Sequence, residues 1–274
     1  MLAALVLALA GYAVLLGPVF LLPLSAALVV CGLLITVLGG LVLSADRLAY
    51  LATKAVAIDR EDHPELFETV DRLARQADMP RPPVAVIPSD EPNALSAGTG
   101  DRTVVCVTLG LLKTLEDDEL EAVLAHEMAH LKNGDSSVMT VAGFPATLAF
   151  ALLRTAVDNI DGKAFFLGYL GVAIYLAAVS LPLVAVTLPG TLALSRYREY
   201  AADRGAVAIT GNPVALGTAL GKLHGHETPE TDARSMAAFN AFCIVPTRLG
   251  LPGTHPPVHK RIRRLRELAA EMEA

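Results

Sequence analysis

Charge is what this sequence has least of. No charged side chain occurs from Met1 to Ala45, and over all 274 residues only 18% are charged while 53% are hydrophobic. The mean hydropathy of +0.50 is too apolar for an ordinary soluble domain and points to a membrane protein. Positive charge is not in excess either: the net charge of -6 argues against a general nucleic-acid binder. The three cysteines, Cys31, Cys106 and Cys243, are odd in number, far apart and without a C-x-x-C pair. That excludes a disulfide framework and a cysteine zinc knuckle. Buried thiols in a reducing compartment are expected instead.

What is present is long apolar runs. A membrane span needs about 20 apolar residues, so the segment up to Ala45 holds two. Gly17, Pro18 and Pro23 mark the turn between spans at about Leu2–Leu22 and Leu24–Leu43. A cleaved signal peptide is the rival reading of "LALAG". No basic region precedes it, and a second apolar run follows at once. The residues from Ser136 to Leu153 and from Ala164 to Ser195 are again uncharged, and predict a second hairpin interrupted by Arg154, Asp158, Asp161 and Lys163. Pro145, Pro182 and Pro189 would kink these helices, which a bundle tolerates when neighbours satisfy the freed carbonyls.

Asp46 to Asp135 has a different texture. In "HPELFETVDRLARQA" the residues Leu66, Val70, Leu73 and Ala77 share one helical face, with Pro64 in the first turn. "PPVAVIP" (Pro82–Pro88) predicts a short strand, and Asn93–Gly110 two strands around a Gly-Thr-Gly-Asp turn. A helix from about Glu116 to Lys132 follows. Its four leading acidic residues suit the helix dipole, and Gly134 suits its stop. Beyond the second hairpin, "SRYREYAADRGAVAITGNP" predicts a helix ended at Gly211. Further helices are expected at about Pro213–Leu223, Thr231–Phe242 and Lys260–Ala274. The chain thus divides into a membrane hairpin (1–45), a polar segment (46–135), a second hairpin (136–195) and a second polar segment (196–274). Arg47, Lys54, Arg60, Lys132, Arg196, Arg198 and Arg204 flank the spans on one side, against Arg154 and Lys163 on the other. The positive-inside rule therefore puts the polar segments and both termini in the cytoplasm.

The chemistry-bearing stretch is "ELEAVLAHEMAHLKNGD". His126 and His130, four apart on a helix, stack on one face and can grip a single ion. Neutral imidazoles bind zinc. Glu127, beside them, is placed to hold the metal's water rather than the metal, and to take its proton as attack on a carbonyl begins. A solvated helix with an incidental histidine pair is the bland alternative. A catalytic zinc wants a third protein ligand. Glu199 is the best candidate, with Asp203 one turn later to anchor a histidine ring. A solvated face containing Arg196, Arg198 and Arg204 explains these residues equally well by their chemistry alone. Topology is compatible with the first reading, because two crossings between His130 and Glu199 return the chain to its starting side.

His126-Glu127-x-x-His130, "SRYREYAAD" and "THPPVHKRI" together resemble the M48 family of membrane metallopeptidases. They resemble most the HtpX branch, which shares a gluzincin core with the eukaryotic CAAX prenyl protease. The likeness runs from Asn93 to Leu265 and includes the four-span layout. It implies an α+β fold, mainly helical, with four transmembrane helices and a small-sheet zincin-like catalytic domain. It also implies one Zn2+ per chain on His126, His130 and Glu199, with Glu127 as catalytic base and Asp203 supporting a zinc-binding histidine. "PNALSAG" resembles the family's Asn-Ala segment, so Asn93, Ala94, Leu95 and Ser96 are candidates for a strand that pairs with an extended substrate backbone; an ordinary hairpin is the plain reading. His255 and His259 are candidate oxyanion donors, although loop histidines are more often structural. The basic run Lys260, Arg261, Arg263, Arg264 and Arg266 reads first as a solvated helix face paired with Glu267 and Glu271, with contact to anionic lipid as the alternative.

The implied activity is a zinc-dependent endopeptidase of the cell (inner) membrane that cleaves membrane or misfolded proteins in quality control. Its partners would be protein or peptide substrates and the lipid bilayer, with no nucleic acid; a homo-oligomer stays open. Two alternatives differ in biology or class. One is a sensor protease that cleaves a repressor, for which the outward loops look too short. The other is a non-catalytic zinc-binding scaffold, which would not need Glu127.

Overall fold

A computed structural model of the chain describes residues 2–158, 167–224 and 256–274. Four of its helices are long and apolar enough to cross a membrane. The first pair is α1 (Leu2–Leu16) and α2 (Leu24–Leu43), joined through a 3₁₀ turn at Gly17–Leu21 where Pro18 starts the turn. The second pair is α7 (Asp135–Asp158) and α8 (Leu167–Thr210). Helix α1 packs closely on α8: a Cβ at Gly11 would lie 2.1 Å from Thr187, and one at Gly190 would lie 2.5 Å from Leu7. Small residues permit such approaches between membrane helices, where lipid supplies no hydrophobic drive. Helix α2 buries none of its residues within the chain, as expected of a span facing lipid.

Between the hairpins lie α3 (Ala45–Thr53), β1 (Val56–Ala57), α4 (Pro64–Gln76), β2 (Val84–Ile87), β3 (Ala94–Thr99), β4 (Arg102–Thr108), α5 (Leu109–Thr114) and α6 (Asp117–Lys132). After α8 come α9 (Pro213–His224) and, at the C-terminal end, α10 (Val258–Glu273). The expected helix at Thr231–Phe242 lies outside the described residues. The short elements β1, α3 and α5 carry too few residues for periodicity to announce them. The sheet has the order β1-β2-β4-β3, with β2 and β4 parallel and the other pairs antiparallel.

Alternation along the strands sorts their side chains to two layers. Val84, Val86, Val105 and Val107 join the main core, which contains Leu66, Val70 and Leu73 of α4, Leu124 and Met128 of α6, Leu216 of α9 and Leu265 of α10. Ala85, Ile87, Leu95, Ala97, Val104 and Cys106 pack on the other face with Ala49 of α3. Cys106 is a buried thiol, its pKa pushed up to about 12 by burial and by the charge of Glu127.

Helix α6 crosses the middle of the main core. Its start is a capping box: the Glu116 side chain accepts from the backbone at Glu119, and the Glu119 carboxylate accepts from the Glu116 N–H at 2.9 Å. Its end is Gly134, whose φ of 65° is the left-handed conformation that glycine adopts without a Cβ penalty. The chain then turns directly into α7.

By sequence the second hairpin ends at Ser195 and a polar helix follows it. Instead a single helix of 44 residues runs from Leu167 to Thr210. No proline or glycine interrupts it between Gly190 and Arg204, so nothing stops the helix at the end of the apolar run. At 1.5 Å per residue it is about 66 Å long, roughly twice the hydrocarbon thickness. Its C-terminal part carries Glu199 and Asp203 out of the apolar zone and against α6. The contact is close because Gly205 faces Ala129, where an added Cβ would come within 2.7 Å of the Ala129 Cβ.

Gly205→Ala should therefore lower stability by about 1–3 kcal/mol through overpacking. Gly217→Ala in α9, where an added Cβ meets nothing within 4 Å, should be neutral or stabilising by up to about 1 kcal/mol. Thermal unfolding of the two variants in detergent, side by side, checks the contrast.

Candidate metal centre

Four helices and one strand build the site, the C-terminal helix α10 through Arg261. Helix α6 brings His126, Glu127 and His130, and α8 brings Glu199 and Asp203. Helix α7 begins with Asp135, and β3 lies beside α6. Among the described residues, His126, His130 and Glu199 form a group whose ligand atoms all lie within 4.8 Å of one another. His126 Nε2 is 3.1 Å from His130 Nε2. Glu199 Oε2 is 3.7 Å from His126 Nε2, and Glu199 Oε1 is 3.5 Å from His130 Nε2. Two nitrogens on a tetrahedral zinc at 2.0–2.1 Å each stand roughly 3.3 Å apart, so the spacing of all three donors suits one such ion.

Each histidine has its other ring nitrogen taken by a carboxylate. His126 Nδ1 is 3.1 Å from Asp203 Oδ1, and His130 Nδ1 is 2.6 Å from Asp135 Oδ2. An ionised carboxylate only accepts, so Nδ1 carries the proton in both rings. The two Nε2 atoms then face each other across the gap. Carboxylates behind metal-binding histidines fix the tautomer and the ring orientation in this way.

Two arginines complete the electrostatics. Arg261 of α10 is buried, with Nη2 2.6 Å and Nε 2.9 Å from the Asp203 carboxylate and Nη1 3.1 Å from Glu199 Oε2. Burial disfavours its charge, but Asp203 and Glu199 outweigh that and hold its pKa above the usual arginine value. Arg198, on the turn of α8 that carries Glu199, places Nε 2.8 Å from Asp135 Oδ1. Around the gap stand four carboxylates (Glu127, Asp135, Glu199, Asp203) and two guanidiniums. The residual charge of two is what one divalent cation would balance.

Neither arginine was assigned to the site by sequence. Arg261 was expected on a solvated helix face, and its burial corrects that reading. The reason is periodicity: Arg261 and Leu265 are four apart, and Leu265 is in the core. The rest of the basic run does stay outside: Arg263 reaches Glu267 at 3.8 Å, and Arg264 lies over the Tyr200 ring at 3.7 Å. Arg198 shared with Arg196 and Arg204 the alternative reading of a solvated face, but only 13% of its side chain is exposed. The signal was available in principle, since Arg198 falls on the α8 face just before Glu199. Asp135 was read as the end of the polar segment, and its bond to His130 needed the sharp turn at Gly134.

The oxyanion candidates fare differently. His255 lies outside the described residues. His259 is exposed on α10, two residues from Arg261 and so about 200° around the helix from it; the structure does not bring it to the histidine pair. Strand β3 places Ala94 and Leu95 at the sheet edge, and Leu95 points into the layer away from α6. Ser96 points to α6, where its Oγ donates to Glu127 Oε2 at 2.8 Å. Asn93 precedes the strand, and its N–H donates to Thr108 Oγ1 at 2.8 Å.

Two histidines and a glutamate around one point, a second glutamate beside them and a frame of four membrane-length helices are the arrangement of a membrane metalloprotease. The chain belongs to peptidase family M48, whose family model matches residues 60–269. It is 42% identical over 237 residues to Protease HtpX homolog 1 of Streptomyces coelicolor, an alignment covering 83% of this chain and 78% of that protein. To the Protease HtpX homolog of Moorella thermoacetica it is 39% identical over 246 residues, covering 83% and 80%. The crystal structure of S. mikatae Ste24p superposes with a TM-score of 0.46 at 19% identity, over 88% of this chain and 56% of that one.

The buried pairings predict how protons and metal compete. Burial lowers the His130 pKa, but hydrogen bonds to Asp135 and Glu199 override it and raise the value to about 10. In the metal-free protein this contributes stability that is fully present below about 6.5 and is lost as pH rises through about 10. A metal must displace that proton, so affinity for a divalent cation should rise by up to about tenfold per pH unit between pH 7 and 9, with about one proton released per ion. Calorimetric titration in buffers of different ionisation enthalpy measures both. Asp135→Ala should weaken binding of a divalent cation about 10- to 100-fold, read by competition with a chromogenic chelator.

Proposed function

We propose that the chain is a zinc-dependent endopeptidase that hydrolyses peptide bonds of membrane or misfolded proteins. The observation that carries the reading is the convergence of His126, His130 and Glu199 on one point with Glu127 on the next helical position. His126, His130 and Glu199 would hold the ion, Asp203 and Asp135 would fix the two rings, and Arg261 would hold Glu199 and Asp203 in place. A zinc ion held there would supply Lewis acidity, polarising the scissile carbonyl and making water a nucleophile near neutral pH. Glu127 takes the proton from the attacking water and delivers it to the departing amine. The edge position of β3 supports its pairing with an extended substrate backbone, which sets register without demanding particular side chains.

The site lies on the continuation of a membrane-length helix and on the first residue of another. Substrate bonds close to the bilayer surface would therefore reach it first. The excess of Lys and Arg on the polar side of the spans supports a cytoplasmic site in the inner membrane.

Glu127→Gln should retain one zinc per chain and lose about 10²–10⁴-fold in hydrolysis of casein. Glu199→Ala should lose tight zinc binding as well as activity. Elemental analysis of the purified variants, together with the hydrolysis assay, separates the two roles; one tightly bound zinc in Glu199→Ala removes Glu199 from the ligand set.

A further inference from the structure

Helix α6 fixes the two histidines through carboxylates on α7 and α8. Glu127 lies about 100° around the helix from His126, so those partners do not constrain it. A glutamate has several rotatable torsions, and ordering them costs conformational entropy. A base must nevertheless stand within hydrogen-bond reach of the proton that it takes.

Strand β3 supplies that constraint. Ser96 Oγ lies 2.8 Å from Glu127 Oε2, and a hydroxyl beside an ionised carboxylate can only donate to it. The backbone that carries Ser96 is held on both sides. Residues from Ala94 to Thr99 pair in register with β4. The neighbours Leu95 and Ala97 are buried in the opposite layer. Gly98, at φ 107°, sits so close to Arg102 that a Cβ would meet its carbonyl oxygen at 1.8 Å. The serine has one side-chain torsion to its oxygen and a fixed backbone, so its hydroxyl is a stationary anchor. Ser96 and Glu127 are both half-buried, on the rim of the histidine gap.

We propose that Ser96 is a positioning residue for Glu127: its hydroxyl ties Oε2 to the sheet and presents Oε1 to the reacting water. This rests on the reading of Glu127 as the base. The hydroxyl suits both protonation states of that base. It donates to the carboxylate and, once Oε1 has taken the proton from the water, still donates to the unprotonated Oε2. Ser96 thus acts through Glu127 and holds no metal.

The test uses the full-length, zinc-loaded protein in detergent with a quenched fluorescent peptide, and compares Ser96→Ala, Ser96→Thr and Glu127→Gln. Ser96→Ala should lower kcat about 10- to 100-fold, the worth of a hydrogen bond to a charged group. KM should stay within about twofold, with one zinc per chain and an unchanged Tm. Ser96→Thr keeps the hydroxyl on a strand-favouring residue and should return kcat to within about threefold of wild type. A hydroxamate, whose proton the same base takes, should bind Ser96→Ala about tenfold more weakly. Adding Ser96→Ala to Glu127→Gln should cost nothing further. With Glu127→Gln inactive, an undiminished kcat in Ser96→Ala, or equal losses in the alanine and threonine variants, overturns the positioning role alone. An active Glu127→Gln overturns the base reading beneath it.

Discussion

Burying charge at the contact between α6 and α8 is the constraint on which the rest of the molecule depends. An isolated carboxylate taken out of water is costly, and it persists only when paired and hydrogen-bonded. Glu199 and Asp203 are both buried, on the outward end of a membrane-length helix and against two imidazoles. Arg261 must reach across from α10 to balance them, and Arg198 must close on Asp135. The C-terminal helix therefore belongs to the site, although it follows the ligands by more than fifty residues of sequence. Removing any one partner leaves its counterpart buried and uncompensated, so the cluster holds four helices to one another.

The same contact explains the architecture of the membrane part. Glu199 on α8 has to be delivered to the histidine pair on α6 from the far end of a hairpin. A continuous helix of 44 residues does this more rigidly than a span, a loop and a short helix would. Gly205 against Ala129 sets the approach of the two axes, and Gly134 lets α7 leave α6 within two residues so that Asp135 falls behind His130. Membrane anchoring and metal-site geometry are thus two consequences of the same pair of helices. A tilt of α8 in the bilayer would move Glu199 with it.

Much of this was legible beforehand, for identifiable reasons. Four spans followed from uncharged runs, α4 from apolar periodicity and α6 from its acidic start and its stop at Gly134. The β3–β4 pair followed from the Gly-Thr-Gly-Asp turn, where Gly100 takes a φ of 58°. The His126–His130 pair follows from the helical period, which places residues four apart on one face whatever the fold. Other features were not legible because they depend on distance in space. Arg261 reads as one member of a basic run until Leu265 turns its face inward. Ser96 reads as a candidate for substrate pairing until the pleat turns its side chain toward Glu127. The boundary at Ser195 was drawn because composition changes there. A helix does not end where composition changes, but where its backbone is interrupted.

The sequence by itself determined the membrane spans, the helix that pairs His126 with His130 and the kinds of side chain that could stand beside them, because these rest on composition and on fixed periods along the chain. Which carboxylate stands behind which histidine, which arginines neutralise them and which strand holds Glu127 were decided only by the tertiary structure. Those are choices among chemically equivalent residues. Burial and approach distance separate one aspartate, arginine or serine from another, and neither is encoded in local order.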